Sequence, residues 1–103
     1  MIPEQAEIWW ASVGGQRRPV LIVTRGDVLP YLTRVLVAPV TRTVRGIPTE
    51  LPLGPDDGLG VECCASFDNL QPVERRHLDS RVGALSPERR PELCRALRAT
   101  ADC

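Results

Sequence analysis

Apolar residues in this chain come in short runs broken by proline and glycine, which predicts a sheet of short strands joined by tight turns. Glu7-Ile8-Trp9-Trp10-Ala11 is rich in β-formers and is followed by Gly14-Gly15. Pro19-Val20-Leu21-Ile22-Val23-Thr24 is a continuous apolar, largely β-branched run, so it is expected in the middle of a sheet with both faces buried. Residues 27–31 read as a loop or one helical turn. A third strand over residues 34–40 is expected to stop near Pro39, whose nitrogen cannot donate to a ladder. A fourth covers residues 48–53, and Gly54-Pro55-Asp56-Asp57-Gly58 then has the chemistry of a turn. Residues 61–67 make a fifth strand, with shorter pieces at 70–73 and 78–82.

The period then changes. Ser86-Pro87-Glu88 resembles a helix start, with serine as cap and proline at the first helical position. Leu93, Ala96, Leu97, Thr100 and Ala101 recur on one helical face. Pro91 conflicts with a helix running on from Pro87, so the helix is expected to begin near Pro91. Five or more strands followed by one helix make a β-rich α+β fold. With 103 residues the chain is expected to be one domain spanning 1–103. A domain of this size buries only about two-thirds of its unfolded surface, so dimerisation would stabilise it.

Composition narrows the class. The chain is 43% hydrophobic and 25% charged, which fits a folded globular protein and excludes a largely disordered one. The N-terminus lacks the basic and apolar regions of a signal peptide, and the apolar runs at 20–23 and 35–40 are too short to span a bilayer. A soluble cytoplasmic protein with no membrane partner is the expectation.

Net charge is zero, but its distribution is uneven. Arg17, Arg18, Arg25, Arg34, Arg42 and Arg45 stand against only Asp27 and Glu50 between residues 14 and 50, whereas residues 51–73 carry Asp56, Asp57, Glu62 and Asp68 and no arginine. One part of the chain is thus locally basic, as an anionic ligand requires; an unevenly charged solvated surface is the plainer alternative. All 13 basic residues are arginine, which binds phosphate through two parallel donors.

Candidate reagents are few. The four cysteines show no metal-ligand spacing, and adjacent Cys63 and Cys64 point to opposite faces of a strand, so they are expected to be small buried hydrophobes. His77, the only histidine, has no serine motif beside it and reads as a surface residue. No glycine-rich phosphate loop opens a helix, because Gly14-Gly15 stands between strands. No metal and no cofactor are expected. What remains is arginine and hydroxyl chemistry. If the second and third strands are antiparallel neighbours, Arg18 at the start of one meets Thr41 at the end of the other. Arg25, Arg42, Thr43 and Arg45 supply further donors, not all necessarily at that end. On the residues alone, Arg18 flanking a strand and Thr41 terminating one are the plainer readings.

The order of motifs adds to this. Glu7-Ile8-Trp9-Trp10, then Arg18-Pro19-Val20-Leu21-Ile22-Val23, then Val37-Ala38-Pro39-Val40-Thr41, follow in sequence. Ile47-Pro48-Thr49-Glu50, Asp68-Asn69, Arg76-His77-Leu78 and Gly83-Ala84-Leu85-Ser86 complete the series. In that order they resemble the MazF/PemK toxin family over nearly the whole chain. The resemblance implies an SH3-like barrel with a C-terminal helix, and a homodimer. It implies a sequence-specific, metal-independent endoribonuclease toxin that cuts single-stranded RNA by 2′-hydroxyl attack, leaving 2′,3′-cyclic phosphate and 5′-hydroxyl ends. A MazE-like antitoxin would block the RNA groove with a disordered tail. The family's catalytic arginine falls on Arg18 and its threonine on Thr41, with Arg17, Arg25, Arg42, Thr43, Arg45, Asp68 and Asn69 as RNA-binding candidates. Asp68 and Asn69 serve equally well as a turn after the fifth strand. One of Trp9 and Trp10 should be core and the other should face a loop or partner.

The chain departs from the family pattern in the segment 12–17, read here as a short loop where many relatives carry a longer one over the RNA groove. A CcdB-type toxin that binds DNA gyrase is the alternative; such relatives use a C-terminal tryptophan, whereas this chain ends Ala101-Asp102-Cys103. A peptide-binding SH3-like module would need an aromatic groove, and only 4% of the residues are aromatic.

Overall fold

Gly14 and Gly15 both adopt left-handed backbone, at φ 58° and 80°, in the computed structural model, which describes residues 2–101. Two successive positive φ angles make a two-residue hairpin turn that matches strand twist, and glycine adopts it without steric cost. The strands therefore run up to the turn: β1 (Glu7–Val13) and β2 (Gln16–Ile22) pair from Ile8↔Leu21 out to Val13↔Gln16. The expected loop over 12–17 shrinks to the glycine pair, with Ser12 and Arg17 as ladder partners.

The remaining elements are β3 (Arg34–Thr41), β4 (Glu50–Leu53), β5 (Cys63–Ser66), β6 (Gln71–Glu74), β7 (Leu78–Ala84) and helix α1 (Arg90–Ala101). All strand pairs are antiparallel, in the order β4-β5-β3-β2-β1-β7, with β6 also on β3. The result is a curled, half-barrel sheet closed over by one helix.

β3 continues through Pro39 to Thr41, past the expected stop. The reason lies in the alternation of its peptide groups. Val23 N donates to Leu36 O, so Leu36, Ala38 and Val40 face β2, and the odd residues face the other edge. On that edge β6 pairs with residues 34–37 and β5 with Val40 and Thr41. Pro39 directs its donor-free nitrogen into the gap between those two neighbours, where no ladder bond is lost.

Two apolar clusters fill the sheet's faces, and β2 serves both. Leu21 joins Phe67, Leu51, Leu93 and Ala96 beneath α1, while Val20 and Ile22 join Trp9, Leu29, Val35 and Val37. That explains why its apolar run is continuous. Trp9 is core, with its Nε1–H donated to Glu7 Oε1 at 3.0 Å, and Trp10 is half-buried on the opposite face.

Several boundaries shift for local reasons. β4 begins at Glu50 because Glu50 N closes a turn onto Ile47 O, and the expected fifth strand gives way at Phe67 to a helical turn over Phe67–Asn69. Ser86 precedes a tight turn, Pro87–Arg89, without making a side-chain cap, and α1 starts at Arg90 beside the expected Pro91. Leu93 and Ala96 are buried; Ala101, expected on the same face, is exposed. Asp102 and Cys103 lie outside the described residues.

The turn after β4 is knotted to both β7 and α1. Asp57, 5% exposed, accepts from Gly54 N and from Arg89 Nη1, each at 3.0 Å, and Arg89 also donates to Glu92 and to Pro52 O. Gly58 (φ 97°) and Gly83 lie where two backbones touch: a Cβ on Gly83 would sit 2.0 Å from Asp57 O. Gly83→Ala should therefore lower unfolding free energy by about 3 kcal/mol in urea denaturation, because backbone rather than side chain has to move.

Arg89 holds the Glu92 carboxyl below its usual range by hydrogen bonding, against the opposing effect of burial. A carboxyl with a lowered folded-state pKa stabilises the fold above its ordinary value and loses that contribution as pH falls. Thermal unfolding of Arg89→Ala should accordingly show a shallower loss of stability below about pH 4.5 than the parent protein.

Candidate active site

Arg18 reaches its position through a hydrogen bond that its neighbour cannot make. The register Val20↔Pro39, Leu21↔Ala38, Ile22↔Val37, carried two residues further, sets Pro19 opposite Val40 and Arg18 opposite Thr41. Pro19 faces β3 but has no N–H to offer the Val40 carbonyl. The Arg18 guanidinium supplies the missing donor, Nη2 to Val40 O at 3.0 Å. This bond holds the half-buried cation beside Thr41, the last residue of β3.

Thr41 is oriented too. Its Oγ1 accepts the Thr43 amide hydrogen at 3.1 Å, which leaves its own hydroxyl hydrogen to donate elsewhere. Arg18, Thr41, Thr43, Arg45, Glu50 and Asn69 wall a cleft of about 380 Å³. Asn69 Nδ2 donates to Ser66 Oγ at 2.9 Å, which fixes the amide at the rim.

Of the sequence candidates, Arg18, Thr41, Thr43, Arg45 and Asn69 come together here. Arg42 lines an adjoining, mostly apolar recess of about 410 Å³ with Trp10, Leu59 and Val61, and Thr41 borders both. Arg17 lies outside the cleft: its guanidinium sits 4.4 Å from the Trp10 ring centroid and pairs with Asp79 at 2.6 Å. Arg25 follows the far end of β2 and pairs with Asp27 at 2.9 Å. Asp68 is exposed, accepts from Thr49 Oγ1 at 2.6 Å and does not wall the cleft. Glu50 and Ser66 were missed. In the sequence Glu50 stood only as a carboxylate inside an arginine-rich stretch and as the last residue of Ile47-Pro48-Thr49-Glu50, neither of which points to the cleft.

A larger recess, about 620 Å³, is walled by Glu74, Arg75, Arg76 and Asp79 and holds none of the candidates. Its acids and arginines balance one another, as in the Arg76–Glu74 pair, so it presents no net cationic face. His77 is exposed, with Nε2 3.7 Å from Glu74 Oε2. Among the described residues no group of three or more His, Cys, Asp or Glu is placed to hold a metal. Cys63 and Cys64 are both buried; the Cys64 thiol donates to Thr43 O at 3.8 Å, behind the cleft wall. Burial, and next the Glu50 charge, push that thiol up to about 11, and burial also raises Cys63.

A curled antiparallel sheet with an anchored guanidinium, an oriented hydroxyl and further cationic and amide donors in one cleft defines a small β protein with the donors to hold an anionic group. The family described as PemK-like, MazF-like toxin of type II toxin-antitoxin system matches residues 4–100, and the chain belongs to that family. It is 37% identical over 100 residues to a probable endoribonuclease, MazF2, of Mycobacterium tuberculosis, covering 96% of this chain and 98% of that protein. The solved Mycobacterium tuberculosis toxin MazF-mt6 superposes with a TM-score of 0.85 at 39% identity, over 91% of this chain and 94% of that one. A mycobacterial endoribonuclease solved in complex with its cognate antitoxin shares the fold, with a TM-score of 0.85 at 24% identity, covering 95% and 93%.

The cysteines give a direct check on the burial of the cleft wall. Iodoacetamide at pH 8 should label exposed Cys94 in the folded protein and leave Cys63 and Cys64 unlabelled until denaturant is added, as read by peptide mass mapping.

Proposed function

We propose that this protein is a cytoplasmic, sequence-specific endoribonuclease toxin, acting as one domain, that cuts single-stranded RNA without a metal. The observation that carries the reading is the Arg18 guanidinium anchored on Val40 O next to a Thr41 hydroxyl whose hydrogen is free to donate. Membership of the toxin family and 37% identity to a protein named as a probable endoribonuclease support it.

In the proposed reaction the ribose 2′-oxygen bonds to the adjacent phosphorus, the bond from phosphorus to the 5′-oxygen breaks, and the 2′-hydroxyl proton is lost while the 5′-oxygen gains one. The products are a 2′,3′-cyclic phosphate and a 5′-hydroxyl. DNA, lacking the 2′-hydroxyl, would be bound but not cut. Arg18 stays protonated and so does not serve as a base; it stabilises the negative charge that builds on the non-bridging oxygens. Thr41 donates a hydrogen bond to one of those oxygens. Thr43, Arg45 and Asn69 grip the neighbouring backbone and bases, with Arg42, Arg17 and Asp68 flanking the path; Arg25, at the far end of β2, has no part in it.

The proposal includes a homodimer and a MazE-like antitoxin whose disordered tail occupies the RNA groove. Exposed apolar side chains at Val28, Tyr31 and Leu32 support self-association, and the toxin–antitoxin description of the family supports the inhibitor. Among the described residues no helix is long and apolar enough to cross a membrane.

Antitoxin-free protein incubated in EDTA with a long defined RNA should give discrete cuts with cyclic-phosphate ends. Arg18→Ala should cut at least about 100-fold more slowly and Thr41→Ala more slowly by a smaller factor. Cutting that survives Arg18→Ala unchanged would remove this site, and a folded parent protein that cuts no RNA would return the question to gyrase binding.

A further inference from the structure

Residues 42–46 leave the end of β3 and belong to no strand, yet Thr43 and Arg45 from this exposed segment wall the cleft. A segment without ladder bonds needs other tethers to hold side chains in place. At its start, Thr41 Oγ1 accepts from Thr43 N and the Cys64 thiol approaches Thr43 O. At its end, one atom does the holding: Glu50 Oε1 accepts from both Arg45 N and Gly46 N, each at 2.9 Å. Successive amide hydrogens converging on one anion form a concave nest, and bonds to a charged acceptor are about twice as strong as neutral ones. Gly46, at φ 72°, supplies the left-handed turn that aims both amides the same way.

Glu50 is itself rooted. It is the first residue of β4, pairs with Ser66 of β5, and closes a turn through Glu50 N to Ile47 O at 3.0 Å. The carboxylate thus ties an irregular segment to the sheet. Its charge also offsets the repulsion between Arg18 and Arg45 in the same cleft before any RNA arrives.

We propose that Glu50 is a positioning residue, which pins residues 42–46 through the Arg45 and Gly46 amides so that Thr43 and Arg45 meet the RNA backbone beside Arg18 and Thr41. This rests on the endoribonuclease reading above and adds to it the residue that sets substrate grip. It assigns Glu50 no proton transfer: the carboxylate serves as the common acceptor for two backbone amides.

Glu50→Gln and Glu50→Ala separate the roles, because glutamine keeps an acceptor oxygen in place and loses the base. On a short RNA bearing the mapped cleavage sequence, Glu50→Ala should raise KM about tenfold with kcat changed less than about threefold. Glu50→Gln should restore both parameters to within about threefold of the parent, with the acid limb of its pH profile unchanged. Amide hydrogen exchange at Arg45 and Gly46 should accelerate in Glu50→Ala and stay slow in Glu50→Gln. Should the alanine variant not fold, Glu50→Asp, with its oxygens drawn back by one methylene, takes its place in the comparison. The proposal is overturned if Glu50→Ala matches the parent in KM and amide exchange. It is also overturned if Glu50→Gln is as impaired as Glu50→Ala and has lost the acid limb, which would make Glu50 the proton acceptor. If the parent cuts no RNA while the amide pattern still divides the variants, Glu50's tether stands and the enzyme reading fails.

Discussion

One hydrogen bond organises the cleft: the Arg18 guanidinium on the Val40 carbonyl, filling the place that Pro19 leaves empty. A carbonyl turned into a sheet needs a donor, and a ladder that passes through proline cannot provide it from the backbone. Arg18 satisfies that demand and is immobilised by doing so. The cation that the proposed reaction needs beside the phosphate is therefore held by the same bond that completes the sheet. Little reorganisation is then required when charge develops there, which is what makes a fixed donor more effective than a free one.

The bond depends in turn on the β2–β3 register, and the register depends on burial. β2 gives Leu21 to the cluster under α1 and Val20 and Ile22 to the other cluster, so a slip of one residue would exchange the two faces. The helix is kept over the first cluster by Arg89, whose guanidinium joins Asp57, Glu92 and the Pro52 carbonyl. The backbones of Gly83 and Asp57 lie in direct contact, which seats that turn against β7 with no space for a side chain between them.

A chain of zero net charge still forms a locally cationic cleft, because the fold sorts its arginines by partner. Arg17, Arg25, Arg76, Arg81 and Arg89 are each matched to a carboxylate. Arg18 is bound to a neutral carbonyl instead and keeps its full charge for a ligand. The exposed pairs among these, those of Arg17, Arg25 and Arg76, add little stability, so their principal effect is to cancel charge outside the cleft.

The amino-acid pattern alone was enough for the strand succession, the terminal helix and the doubly buried β2, which follow from local periodicity; the meeting of Arg18 with Thr41 was conditional on an antiparallel β2–β3 pairing that the tertiary structure supplies. Proline and glycine were legible as breakers, but what they break depends on neighbours. Pro39 interrupts nothing because the sheet changes partner there, and Gly14-Gly15 reduces an apparent loop to a turn. Arg17 and Arg18 are both expected to meet the RNA, but strand alternation sends Arg17 to Trp10 and only Arg18 to Val40. Glu50 stood in the Ile47-Pro48-Thr49-Glu50 stretch with nothing to mark its role, because that role lies in two backbone amides brought back to it by the chain turn before β4. Local preference is written residue by residue; which donor meets which acceptor is decided only when distant strands pack, and that decision belongs to the tertiary structure.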